Sequence, residues 1–87
     1  MKVIVRPSIN KDIKSLPKLI KQEVEQITLQ ILDVDSVIQI KNVKKLKGSS
    51  KAYRIRIGDY RLGFFLENDT VILSRILNRK EIYRYFP

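Results

Sequence analysis

Arg54 and Arg56 alternate with Tyr53, Ile55 and Ile57, and a Gly58-Asp59 pair separates this run from Tyr60-Arg61-Leu62. Successive side chains of an extended chain point to opposite faces, so both arginines share one face and the apolar residues the other. Gly58-Asp59 is a two-residue hairpin signal, with glycine free to take positive φ at the first turn position. A fold-back there sets Ile57 against Tyr60 and Arg56 against Arg61. Like charges directly across a ladder are destabilising, so three arginines on one sheet face imply an anion to be held there. A nucleic-acid phosphate suits them, because guanidinium forks grip phosphate oxygens in pairs while tyrosine or phenylalanine stacks on bases.

Breaking RNA at such a site has three requirements: a 2′-hydroxyl is deprotonated, a more highly charged phosphorane is neutralised, and the leaving 5′-oxygen is protonated. Arginine serves the second, being always charged and rigidly aimed. It is a poor general base, since its pKa stays above roughly 12. The chain has no histidine, so proton transfer falls to Tyr83, Glu81, or a lysine or tyrosine whose pKa the positive cluster lowers. Such a site is slow alone and needs a partner such as the ribosome to align the substrate. Phe65 lies further along the same face, and Lys44, Lys45, Lys47 and Lys51 extend the field as RNA-binding candidates.

Each of these residues also has a plainer reading. Tyr53, Tyr60 and Phe64 are more often core residues of a sheet than stacking platforms. The lysine run from Lys41 to Lys51 is by itself a solvated face, Arg75, Arg79 and Arg84 can be solvated as well, and Glu81 can simply neutralise Arg79 or Arg84. Arg56 and Arg61 stand apart from this reading, because their apposition costs stability.

The charge distribution points the same way. Eighteen basic against nine acidic side chains give a net charge of +9 over 87 residues. Residues 1–40 carry six basic and five acidic groups, whereas residues 41–87 carry twelve and four. A field of that kind favours a polyanion, most often nucleic acid, and speeds encounter with an acidic protein. Cysteine is absent, which excludes disulfides, thiolate chemistry and zinc sites of the Cys/His kind. No cofactor or metal is expected. Met1–Arg6 leads into a short strand-like run and not a long apolar segment, and no apolar run is long enough to span a membrane. The expectation is a soluble, cytoplasmic protein.

At this length one domain over residues 1–87, with one modest core, is expected. Lys2–Arg6 reads as a short strand ended by Pro7. Ser8 is placed to cap a short helix over Asn10–Leu16, and Pro17 to occupy the first position of a second helix running to Leu32. Ile20, Val24, Ile27 and Ile31 form the apolar stripe of that second helix, with Lys21, Gln22 and Glu25 towards water. Asp33–Asn42 is a connection in which Val37–Ile40 reads as a helical turn or a strand. Val43–Leu46 reads as an edge strand guarded by lysines.

Three strand segments follow, Ala52–Ile57, Tyr60–Glu67 and Thr70–Leu77, with Gly58-Asp59 and Asn68-Asp69 between them. Together they make an antiparallel meander. Arg79–Phe86 reads as one or two turns of terminal helix. The order describes an α+β domain: an N-terminal strand, an αα-hairpin, then a β-meander with the helices on one sheet face. Gly63 beside the arginines leaves room for a bulky ligand or marks a bulge. A strict two-residue turn at Asn68-Asp69 puts Arg75 on the core face, and a bulge or longer turn moves it off.

The run KLKG leading into YRIRIGDYRLGFF, closed by NRKEIY, resembles the RelE/ParE toxins of type II toxin–antitoxin modules, over nearly the whole chain and closest to the RelE-like branch. The resemblance implies a metal-independent endoribonuclease that cuts mRNA by 2′-hydroxyl attack in the ribosomal decoding site and halts translation. It matches Arg54 and Arg56 to basic strand positions, Arg61 to a phosphate-binding arginine, and Arg79 and Tyr83 to the arginine and tyrosine of the closing motif. It also implies an acidic RelB-like antitoxin as partner. Asn78 stands where many relatives have histidine, and arginine at both Arg54 and Arg56 removes a lysine base. Two alternatives belong to other classes: a ParE-like gyrase inhibitor, and a catalytically degenerate homologue that only binds its antitoxin.

Overall fold

The computed structural model describes all residues, Met1–Pro87. A five-stranded sheet forms the centre, in the order β1 (Lys2–Val5), β5 (Thr70–Asn78), β4 (Tyr60–Glu67), β3 (Ala52–Ile57), β2 (Val43–Lys45). β1 runs parallel to β5 and every other pair is antiparallel. The two meander turns differ in their backbone. At the first, Gly58 alone of the turn pair has positive φ, whereas Asn68 and Asp69 both do at the second. Both turns suit the right-handed twist of the strands they join.

Two helices cover one face. α1 (Pro7–Lys14) and α2 (Lys18–Asp33) enclose Ile9, Leu16, Val24 and Ile31 against Ile55, Ile57, Leu62, Phe64, Val71, Leu73 and Ile76. The α2 stripe is as the spacing requires: Val24 and Ile31 are buried, with Ile20 and Ile27 packed beside them. Each such buried side chain contributes about 1.5–3 kcal/mol over leaving it exposed. Phe64 is fully buried and stacks on Tyr53 at 5.3 Å. Tyr53 and Tyr60 are half-buried against the same core.

Some boundaries and caps differ from expectation. α1 begins at Pro7, so Ser8 lies inside the helix and not at its cap; its hydroxyl donates to Ser74 O at 2.7 Å. Pro17 precedes α2 as its cap residue, one position earlier than expected. Val37–Gln39 forms a single 3₁₀ turn with a capping box between Ser36 and Gln39. The terminal helix α3 is only Ile82–Tyr85, a single turn, and it lies on the sheet face opposite α2.

A β-bulge settles the place of Arg75. The turn at Asn68-Asp69 is a strict two-residue one, with Glu67 opposite Thr70 and Phe64 opposite Leu73. The register then shifts: Gly63 faces Arg75, leaving Ser74 as the extra residue. One added residue reverses the pleat. Ile76 therefore returns to the core, while Arg75 points to the second face.

α1 compensates for the shortness of β1. Beyond Val5 the edge of β5 has no neighbouring strand. Ser8 and Asp12, one helical turn apart, satisfy Ser74 C=O and Ile76 N–H at 2.7 and 3.0 Å. A helix face thus takes the place of a strand at an otherwise open edge.

Candidate functional site

The hairpin register places Arg56 directly opposite Arg61, Arg54 opposite Gly63 and Lys44 opposite Arg54. Residues directly opposite share a face, so Lys44, Arg54, Arg56 and Arg61 lie together across three strands, on the side away from α2. The Arg56–Arg61 repulsion is relieved by turning the two guanidinium groups apart. Arg61 Nη1 donates to Gly58 O and Tyr60 O, each at 2.9 Å, in its own turn. Arg56 Nη2 reaches the other way, to Asn42 Oδ1 at 3.3 Å.

Asn42 organises the β2 side of the face. Its φ of 67° puts it in the left-handed region, which asparagine tolerates better than most residues. In that conformation its carbonyl accepts Arg54 Nη1 at 2.8 Å and the Arg56 amide at 3.2 Å, while its side chain accepts Arg56. Arg54 keeps one donor, Nε, buried without a partner.

Every acceptor that Arg54, Arg56 and Arg61 use is a neutral carbonyl or amide oxygen. The two ion pairs of the chain involve other residues, Lys51–Glu67 and Arg75–Asp12. The arginines are therefore aimed but not neutralised. A phosphate oxygen competes well for them, since charge-assisted hydrogen bonds are roughly twice as strong as neutral ones.

The remaining candidates separate by place. Arg79 is exposed just past the end of β5, where its amide donates to Asp59 O at 2.8 Å and prolongs the β4–β5 ladder by one bond. Tyr83 is 57% exposed on α3. Lys45 is in register with Tyr53 and so belongs to the other face. Lys47 is exposed in the following loop, and Lys51 pairs with Glu67 at 3.0 Å. Phe65 shares the arginine face but is half-buried; its ring packs on Phe86 at 4.9 Å, with the Arg6 guanidinium 5.2 Å over it.

The space above Gly63 is filled from within the chain, which corrects the expectation of room there for a ligand. Phe86 lies so close that a β-carbon on Gly63 would stand 2.6–2.8 Å from three of its ring atoms.

A family model for the ParE toxin of the type II toxin–antitoxin system, parDE, matches residues 3–83. The chain belongs to the RelE/ParE family of toxins. It is 40% identical to Toxin RelE3 of Methanocaldococcus jannaschii over 88 residues, covering all of both chains. It also superposes on a chain of the RelB–RelE antitoxin–toxin complex from Methanococcus jannaschii with a TM-score of 0.83 at 36% identity, over 97% of this chain and 99% of that one. The archaeal RelE–RelB complex from Pyrococcus horikoshii OT3 gives a TM-score of 0.73 at 26% identity, over 93% and 97%.

Two residues that shape this side of the RelE-like toxin are not marked by any clear sequence pattern, Asn42 and Asp12. Asn42 sat in an unassigned connection; the order Asn before a lysine-guarded edge strand is a faint clue to a left-handed turn. Asp12 lies on α1, far in sequence from its partner. It is 8% exposed and grips Arg75 with both oxygens, at 2.8 and 3.0 Å. That hydrogen bonding holds the Arg75 guanidinium above its ordinary pKa, against the opposing effect of burial. Arg75 in turn lies 5.3 Å from the Tyr85 ring centroid, on the C-terminal turn. Asn78 caps the next turn by accepting the Lys80 amide at 3.0 Å.

Proposed function

We propose that this toxin is a ribosome-dependent mRNA endonuclease that stops translation, and that an acidic RelB-like antitoxin holds it in check. The observation carrying this reading is the face of Arg54, Arg56 and Arg61, held by neutral acceptors and unpaired with any carboxylate. Arg61 and Arg56, diverging from one another, bracket the phosphate and oppose the charge that grows on the phosphorane. Arg54 and Arg79 extend that stabilisation, and Lys44 steers the strand from the edge. The 2′-hydroxyl loses its proton as its oxygen attacks phosphorus, and the 5′-oxygen leaves with a proton. Tyr83 is the group on this chain best suited to that transfer, with no resident metal in the scheme. With no histidine in the chain, alignment of the message by the ribosome is part of the mechanism. The RelB-bound relatives and the net charge of +9 support the acidic partner, and the site of action is then the cytoplasm.

Induced expression is expected to halt protein synthesis and to leave cut messages on ribosomes, mapped by sequencing their 5′ ends. Arg61→Ala should lower cleavage by about 10²-fold, as for loss of one oxyanion donor, with an unchanged melting temperature. The family model is named for ParE toxins, which favours a gyrase inhibitor as the second reading. Intact transcripts together with an induced DNA-damage response would replace the first reading with the second. Tight antitoxin binding without toxicity would leave only a degenerate homologue.

A further inference from the structure

α3 is too short to hold itself. Isolated short helices are marginal in water, because the first turn fixes several dihedrals for one hydrogen bond. Around this turn the bonds are Arg84 N–H to Glu81 O at 3.0 Å and Phe86 N–H to Ile82 O at 2.8 Å. Its stability comes from one face. Ile82 and Phe86, four residues apart, are both buried with Ala52 and flanked by Leu46, Phe65 and Leu77. Phe86 makes the closest approach, in the notch that Gly63 leaves by having no side chain. The notch adjoins the arginines: Gly63 is in register with Arg54, and Leu77 with Arg61. Tyr83 follows the first anchor and faces outward.

We infer that Phe86, seated on Gly63, is the positioning residue that fixes Tyr83 beside the arginine face. The catalytic consequence rests on the endonuclease reading; the docking itself does not. With Ile82 alone, a single turn pivots about one point. A second anchor four residues on sets its rotation and height, and with them the phenol. Misplacing a reacting group by about 1 Å can cost 10²-fold. The main core contains none of the residues of this second cluster, so the turn can be released while the sheet stays folded.

The test uses the full chain with Gly63→Ala, Phe86→Ala, Phe86→Leu and the double variant Gly63→Ala/Phe86→Ala. Amide hydrogen exchange reads docking without any chemistry. Protection at Arg84 and Phe86 (or the residue replacing it) should be lost in Gly63→Ala and in Phe86→Ala, while β4 and β5 keep theirs. The double variant should be no worse than Phe86→Ala, since the added methyl then meets no ring. Cleavage of ribosome-bound mRNA reads the consequence. In Phe86→Ala kcat should fall about 10–100-fold with little change in KM, Phe86→Leu should restore part of it, and Tyr83→Phe should cost nothing further. Unchanged exchange in both single variants overturns the inference. So does a Tyr83→Phe effect as large in Phe86→Ala as in the native chain. A native chain that cuts no mRNA overturns the endonuclease reading and the catalytic half of the inference, while lost exchange protection would still establish the anchor.

Discussion

Asn42 shows how little it takes to aim a cation. Its left-handed backbone turns one carbonyl and one side-chain oxygen towards two arginines. Glycine accepts the same φ freely, so Asn42→Gly should preserve the carbonyl contacts with the Arg54 guanidinium and the Arg56 amide and release only the Arg56 guanidinium. Stability should change by less than about 1 kcal/mol, while affinity for single-stranded RNA falls severalfold in a fluorescence titration. Asn42→Val should instead lose about 1–2 kcal/mol, because a β-branched residue resists that φ. Asp12 is the opposite case, where removal leaves charge stranded. Asp12→Ala orphans the Arg75 guanidinium and the Ile76 amide together, and urea unfolding should show a loss of about 3 kcal/mol. The pH dependence follows from the direction of the Arg75 shift. A cation whose folded pKa is raised contributes stability fully present below its unfolded pKa and lost only as pH rises through the folded one. Between pH 5 and 10 Arg75 should therefore produce no transition in a stability profile.

Elements explain why some of these residues were legible and others were not. Strand alternation and two turn signals were enough to place Arg54, Arg56 and Arg61 on one face, and the Arg56–Arg61 apposition is the one found. Arg75 was undecidable, because a single bulge inverts the pleat and Ser74 carries no local mark of it. The role of Ser8 was hidden for a related reason. Its partner is Ser74 C=O, a group orphaned only because β1 ends early. Ser8→Ala should lower stability by about 1 kcal/mol, measured by thermal melting, with Cys at the same site no better. The second hairpin offers a gain. Asn68 and Asp69 both hold positive φ, so Asp69→Gly completes the favoured Asn-Gly turn and should raise stability by about 0.5 kcal/mol.

On the scale of the whole molecule the sheet divides the work. One side is buried under α1 and α2 and supplies most of the stability; the other carries the arginines and the C-terminal turn. The basic excess of residues 41–87 falls largely on the strands and turns that build this second side. Binding to RNA should then weaken with salt as counterions are released, with a slope near −0.7 per phosphate contacted on a single strand. Arg56→Ala should flatten that slope by about one contact, whereas Lys11→Ala, on α1, should leave it unchanged. Measuring affinity across a salt series separates the two.

The amino-acid sequence alone determined what depends on neighbours along the chain. Side-chain alternation, glycine and asparagine at turns, the α2 stripe and the surplus of arginine all act over a few residues, and they specify the pairing of the three meander strands and the basic face; the parallel pairing of β1 with β5 came from the fold. The tertiary structure decided what depends on distant contacts. The bulge at Ser74, the grip of Asp12 on Arg75 across 63 residues and the seat of Phe86 on Gly63 join groups far apart in sequence. No local pattern encodes a partner that only packing brings near. Gly63 shows the difference most plainly: a missing side chain is visible in the sequence, but what fills its place is a property of the fold.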